Sequence, residues 1–414
     1  MKSKLFLLSI LVSFFTSNAQ TKILFDATKA QMASNADWII DADLHNLSFS
    51  GGPASIGGNE SNPQQIPTPA QSGISASTSE NFWNGALSAW AVDCVKQGYI
   101  VETLPYNGQI TYGNVSNTQD LSNYKVFIID EPNIIYNATE KTAIINFVKN
   151  GGGLFIISDH DVSDRNSDGI DSPHILNDLM TNNTVQTNPF GISFDYANIS
   201  QTTSNVANLP TNVILHGSAG NAAQIKYSNG TTITLNTAQN SSALGLVYTT
   251  GSSNAGITNA MCASATFFAG KVVAIGDSSV PDDGTGDTGD TLYNGYTGDA
   301  SGNHQRLLMN ATIWLATSSP LANSEFDSTK LNFSIVPNPI KNNELNLNYS
   351  VVTNEITLIS IFDTTGREIK SIQYSENEIG LITKIIITDE LKSGIYFCKI
   401  SQNSISKTLS FIVN

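Results

Sequence analysis

Three short runs, residues 124–129, 154–157 and 271–275, are apolar at nearly every position. A strand with one wet face alternates apolar and polar side chains. A run that is apolar throughout must be covered on both faces. Helical spacing lies between the runs. Phe82, Trp83, Ala86, Leu87, Trp90, Ala91, Cys94 and Val95 recur on one helical face over 80–97, and Gly98 offers a C-cap. Asn137 and Glu140 have capping-box spacing for a helix through Val148, which Gly151-Gly152-Gly153 ends. Residues 22–26 and 99–104 supply two more strands, and a closing helix covers 305–316 through Leu307, Leu308, Ala311, Trp314 and Leu315. Strand and helix in alternation predict an α/β domain with a mostly parallel sheet. Residues 186–250 lack helical spacing and read as β insertions. Ala269-Gly270 reads as the tight turn of a hairpin.

The last eighty or so residues change character. Segments such as Leu345-Asn346-Leu347-Asn348-Tyr349 and Lys384-Ile385-Ile386-Ile387 are short, with turn residues at close spacing. This predicts a small all-β sandwich. Val336-Pro337-Asn338-Pro339, Asp363-Thr364-Thr365-Gly366-Arg367 and Leu391-Lys392-Ser393-Gly394-Ile395-Tyr396 follow in order. Together they resemble the C-terminal sorting domain of the type IX secretion system. The resemblance implies export across the outer membrane, with the secretion machinery as partner and no chemistry in the sandwich itself. The other end agrees. Lys2 and Lys4, an apolar run over 5–15 and Ser17-Asn18-Ala19 read as a signal peptide cut after Ala19. No later segment is long and apolar enough to span a bilayer. The expected plan is a signal peptide at 1–19, an α/β domain at 20–320, a linker at 321–332 and the sandwich at 333–414.

The run Phe147-Val148-Lys149-Asn150-Gly151-Gly152-Gly153 with its apolar strand, and the later Gly270-Lys271-Val272-Val273-Ala274-Ile275-Gly276-Asp277, carry a second resemblance. Residues 22–317 resemble the class I glutamine amidotransferase-like fold, a flavodoxin-like sheet, and within it the ThuA-like members. That family places a Cys after the strand that is here 154–157. This chain has Ser158-Asp159-His160 instead, so glutaminase chemistry is not expected.

In an open parallel sheet, ligands bind beyond the C-terminal ends of the strands. Those ends are followed here by Asp26, by Asp130 and Glu131, by Ser158, Asp159, His160 and Asp161, and by Asp277, Ser278 and Ser279. His160, between two acids, suits a general base or a metal ligand, or else a residue supporting one. Asp159, Glu131 and Asp277 complete the expected catalytic set. Crowded acids call for a cation, so a divalent ion at this rim is a further expectation. Next comes Asp164-Arg165-Asn166-Ser167-Asp168-Gly169-Ile170-Asp171, alternate oxygen ligands with a Gly at the sixth place. That pattern predicts Ca²⁺ held by Asp164, Asn166, Asp168 and Asp171, structural or catalytic. The glutamate that ends an EF-hand loop is missing, Ile175 standing there. Residues 277–290 form another acidic loop with five Asp. Arg165 and Arg306 border these loops, and His304 opens the closing helix. The three are expected to bind an anionic substrate group or to pair within the loops.

Composition closes other doors. A formal net charge of −15 without a basic run excludes a nucleic-acid backbone as partner. Three cysteines far apart, Cys94, Cys262 and Cys398, exclude a disulfide framework and a thiolate zinc site. The expectation is a secreted or surface-held hydrolase that needs a divalent cation and acts on an extracellular polymer, with carbohydrate the class its relatives imply. The alternative is a calcium-stabilised protein that binds glycans or surfaces without catalysis.

Overall fold

The computed structural model describes residues 20–33, 36–40, 47–48, 55–56, 69–286, 293–317, 333–351, 356–375, 380–402 and 405–413. The expected signal peptide and linker lie outside them, as do Asp287 and Asp290 of the acidic loop. Two compact units divide the chain at 321/322. Among the described residues, no helix is long and apolar enough to cross a membrane.

A ten-stranded sheet organises the first unit. Its strands are β1 (Lys22–Asp26), β2 (Ile100–Leu104), β3 (Val126–Asp130), β4 (Gly153–Ile157), β5 (Ile192–Phe194), β6 (Asn205–Val206), β7 (Ile233–Leu235), β8 (Leu244–Tyr248), β9 (Ala260–Phe267) and β10 (Gly270–Ile275). The parallel strands run in the order β10-β4-β3-β1-β2. This is the flavodoxin-like order, with its switch point between β1 and β3. Beyond β10 the sheet continues antiparallel through β9, β8 and β6, and β7 and β5 branch from β9.

Both faces are covered, as the apolar runs require. Four helices do this: α1 (Ser88–Lys96), α2 (Ala138–Lys149), α3 (Ser172–Thr181) and α4 (Asn303–Ala316). Ile23, Phe25, Ile128, Phe155 and Val273 cluster with Trp90 of α1 and Leu307 and Leu308 of α4. Leu24, Phe127, Leu154 and Ile156, one step along each strand, cluster with Ile144 and Ile145 of α2 and Leu176 and Leu179 of α3. Trp90 meets Phe25 and Phe155 edge-on at 5.5 and 5.2 Å and donates to Thr312 Oγ1 at 3.1 Å. The capping box on Asn137 and Glu140 is formed. The helix expected over 80–97 starts late, at Ser88. Gly85 interrupts it at φ 131°, and Asp283 reaches over to accept from Ala89 N at 2.7 Å.

β9 and β10 form the expected hairpin, and Gly270 is where it presses on α2. A Cβ there would lie 1.8 Å from Val148 O and 2.6 Å from Gly152 O, both backbone atoms. Neither can step aside without moving the helix end. Gly270→Ala is therefore expected to cost about 3 kcal/mol, at the upper end of overpacking costs. Urea unfolding of the first unit measures it.

The second unit holds β11 (Phe333–Ile335), β12 (Glu344–Val351), β13 (Ile356–Phe362), β14 (Glu368–Ser375), β15 (Gly380–Ile387), β16 (Gly394–Gln402) and β17 (Ile405–Val413). They form antiparallel sheets in the orders β11-β12-β15 and β14-β13-β16-β17. Leu345, Leu347, Ile359, Ile361, Cys398 and Phe411 share one core. The predicted small all-β domain is what forms.

Candidate functional site

β3, β4 and β10 end side by side, and the residues that follow them converge. Glu131 follows β3 with φ 37°, a left-handed conformation rare outside glycine. Its backbone N–H is held by Ile157 O at 3.0 Å, and its side chain is fully buried. The carboxylate accepts three donors from three distant segments. Trp38 Nε1 and Ser278 Oγ meet Oε2 at 2.7 and 2.6 Å, and Arg165 Nε meets Oε1 at 3.0 Å. Arg165 also donates through Nη2 to Asp159 Oδ2 at 2.9 Å. Its guanidinium thus bridges the ends of β3 and β4.

His160 sits at the rim with Nε2 3.5 Å from Asp159 Oδ2 and Nδ1 2.7 Å from Asp161 O. A carbonyl can only accept, so Nδ1 carries a proton. The Asn198 amide, 3.1 Å from the same nitrogen, is the looser contact. In the neutral ring the lone pair is then on Nε2. On the opposite side, Asp277 Oδ1 accepts from Ser279 N at 2.8 Å, and Oδ2 accepts from Ser228 N. A cleft of about 140 Å³ lies between, lined among others by Trp38, Asp159, His160, Arg165, Asp277 and Ser278.

Burial sets the protonation here. It pushes Asp277 up to about 7, its own hydrogen bonds notwithstanding. It pushes Asp159 well above the usual carboxylate range, with the Glu131 and Asp277 charges adding to it and Arg165 opposing. The cleft thus holds a cation, a histidine, a carboxyl group at Asp277 that burial pushes up to about 7, and a second at Asp159 whose acidity burial weakens. Such an arrangement can move protons to and from a bound group.

Five expected site residues, Glu131, Asp159, His160, Arg165 and Asp277, therefore come together. Two do not. His304 is fully buried, its Nε2 accepting from Lys226 N at 2.8 Å and its Nδ1 bonded to Gly295 O at 2.9 Å. It anchors α4 to the neighbouring loops and cannot touch substrate. Arg306 donates to Asn221 O and Ser301 O, holding backbone outside the cleft. Trp38 and Ser278 join the cluster from outside the expected catalytic set. Trp38 lies in the aperiodic stretch after β1, where no pattern marks it. Ser278 had one signal, its place two residues after β10 beside Asp277.

Two other acids lie apart from the cleft. Asp26 is buried and bonded to Thr28 and Tyr136. Asp130 is 1% exposed, and neither of its oxygens has a hydrogen-bond partner. Burial, reinforced by the charges of Glu131, Asp277 and Asp282, pushes it well above the usual range.

The expected calcium loop is closed by its own hydrogen bonds. Asp171 accepts from the backbone N–H of Val162, Ser163 and Asp164 and from Ser163 Oγ. Oδ1 takes three of these donors and Oδ2 one, so Asp171 clasps the loop and keeps a lone pair on Oδ2. Asn166 is buried and donates Nδ2 to Asn133 O at 2.6 Å and to Asp168 Oδ2 at 2.8 Å, while its Oδ1 accepts from Asp168 N at 3.3 Å. Asp164 and Asp168 use Oδ1 for Gly169 N and Ile170 N at 3.0 and 2.9 Å. Asp164 Oδ2, and the remaining lone pairs on Asp168 Oδ2, Asn166 Oδ1 and Asp171 Oδ2, are what the side chains of the predicted set can offer an ion. Asp161, Asp171 and His174 also bring ligand atoms within 4.8 Å of one another. There, His174 Nε2 already meets Asp161 Oδ1 at 3.0 Å.

Comparison with known proteins bears on the second unit. Residues 334–414 match the family described as the secretion system C-terminal sorting domain. No curated protein matches the chain. Among solved structures, the mmIFT52 N-terminal domain is similar at 13% identity and a TM-score of 0.40, over 72% of this chain and 98% of that one. The cytoplasmic protein STM3548 from Salmonella typhimurium is similar at 13% identity and a TM-score of 0.39, over 71% and 98%. At these scores neither likeness speaks to function.

Proposed function

We propose that this chain, carried across the outer membrane to the surface or medium by its sorting domain, is a hydrolase acting on an extracellular polymer. One observation carries the reading. Side chains from the ends of β4 and β10 and from the loop after β4 meet at a single cleft, with a base, an acid and a cation among them and Glu131 of β3 buried behind. His160 Nε2 is placed to take a proton from an attacking group. Asp277, with its proton retained to about pH 7, is placed to give one to a leaving group. Arg165 has five N–H donors and uses two of them on Glu131 and Asp159. Others remain for developing negative charge. At about 140 Å³, the cleft is smaller than the ~300–1,000 Å³ usual for ligand pockets. It suits one substituent or one end of a polymer rather than a length of it. The ThuA-like resemblance supports carbohydrate as the class. The test is purified protein against a panel of polysaccharides, esters and phosphodiesters, with one class turned over.

The binding alternative has one observation in its favour. Tyr196 is 57% exposed and stacks on His174 at 3.8 Å, a flat apolar face next to the cleft wall. No turnover on the panel, with glycan binding lost in Tyr196→Ala, is the result that favours it.

Calcium belongs to the same proposal at the 164–171 loop. Asp164 and Asp168 would hold the ion, and Asp171 would hold the loop. The ion would supply positive charge that fixes the loop bearing Arg165. A ligand at a hundred times its Kd adds about 2.7 kcal/mol. Chelator is expected to lower the Tm of the first unit by a few degrees. Asp168→Ala should remove that shift, while Asp171→Ala should destabilise with or without chelator. An unchanged Tm in the wild type makes the loop a set of turns.

A further inference from the structure

We infer that Ser278 is a nucleophile activated by Glu131, and that the bond cleaved is an ester carrying a small acyl group. The inference rests on the hydrolase reading and names its chemistry. Three serines follow the strands at this rim. Ser158 Oγ donates to the carbonyl of Asp159 at 3.1 Å, and Ser279 Oγ donates to Asp277, two residues back, within its own turn. Ser278 differs. Its Oγ donates across the sheet to Glu131 Oε2 at 2.6 Å, and the residue lines the cleft. A serine hydroxyl needs a base within hydrogen-bond reach and a third group that orients the base. Both are present. Trp38 Nε1 and Arg165 Nε fix the Glu131 carboxylate at 2.7 and 3.0 Å. The chain also holds Glu131 in a left-handed conformation that a residue with a side chain keeps only under constraint, and such constraint clusters at working sites.

The step balances with water as the only co-reactant. Ser278 Oγ bonds to the acyl carbon as its proton passes to Glu131. The bond from the acyl carbon to the alcohol oxygen breaks, and that oxygen leaves with the proton of Asp277. Water then attacks the acyl carbon and gives a proton to His160 Nε2, which returns it to Asp277 through the cleft. The Oγ–acyl bond breaks, Ser278 recovers its proton from Glu131, and a carboxylic acid departs. The small volume of the cleft limits the acyl group, while the alcohol side stays outside, as a polymer would.

A fluorophosphonate tests this without knowing the substrate, since it bonds to an activated serine oxygen with loss of fluoride. The full mature chain is treated, digested and mapped by mass spectrometry, and p-nitrophenyl acetate turnover is followed in parallel. The label is expected on Ser278, and is expected to be absent in Ser278→Ala. Glu131→Gln is expected to slow labelling about 100-fold or more, the scale of general-base catalysis. Melting curves of both variants show whether each is folded. If Glu131→Gln is not, Ser278→Ala decides alone. Label on another residue, or acetate turnover unchanged in Ser278→Ala, overturns the inference and leaves the hydrolase reading standing. Label on Ser278 without hydrolysis of any polymer ester sustains the nucleophile and removes the polymer reading.

Discussion

Replacing Arg165 with Met is expected to destabilise the first unit by about 3 kcal/mol at pH 7.5, the low end of the range for breaking a buried ion pair. The reason is what stays behind. Arg165 is 21% exposed, while its partners Glu131 and Asp159 are 0% and 4% exposed. Without the guanidinium, two carboxyl groups sit close together in a dry place. Glu131 keeps Trp38 and Ser278. Asp159 keeps His160, with Nε2 at 3.5 Å, and the proton it can take up. The loss should therefore shrink at pH 5, where Asp159 is protonated more cheaply. Urea unfolding at the two pH values measures this. An equal loss at both would mean that Arg165 contributes packing and not charge.

Asp130→Asn is expected to have the opposite sign. Asp130 is buried without a partner, and its acidity is weakened by that burial. The sign follows from linkage. A carboxyl group with a raised folded pKa favours folding most below its unfolded pKa, near 3.9, and that contribution is lost as pH rises towards the folded value. Each pH unit in that window removes at most about 1.4 kcal/mol. Asp159 and Asp277 act in the same direction, Asp277 ceasing to do so at about pH 7. Asp120 acts oppositely. Burial would raise it, but donors from Ser122, Thr111, Asn114 and Gly113 outweigh that and hold it low, so its contribution is lost in acid. Stability should peak in mild acid and fall towards alkali. Asn is neutral and unpaired at this position, as the protonated acid is, so the cost that does not depend on pH largely cancels. The variant should gain about 2 kcal/mol at pH 8, below the linkage ceiling because proteins relax around buried charge. It should gain nothing at pH 4. Thermal melts across pH read both.

The alternation of runs and helices made the parallel sheet legible, because a strand apolar on both sides has one kind of home. The rim of the cleft was legible for the same reason. Glu131, Asp159, His160 and Asp277 each stand within three residues of the end of a parallel strand. Direction was not legible. Asp171 and Asn166 fall on the right beat of a cation loop, and the structure adds that one clasps backbone N–H groups and the other is buried against Asn133. His304 opens a helix, as an anion-binding residue would, yet its ring is spent on Lys226 N and Gly295 O. Spacing cannot tell an acceptor that faces an ion from one that faces its own backbone. Trp38 was harder still. It reaches Glu131 from a stretch whose path nothing periodic describes.

The central claim is that the cleft beside His160 does hydrolytic chemistry. The most direct test is kcat/KM for wild type and His160→Ala on whichever substrate the panel yields, with melting curves run alongside. A loss of about 10²–10⁴-fold is expected, the scale for a missing general acid or base, in a protein whose melting curve shows it folded. A kcat/KM within about threefold of wild type in a folded His160→Ala protein would contradict the account.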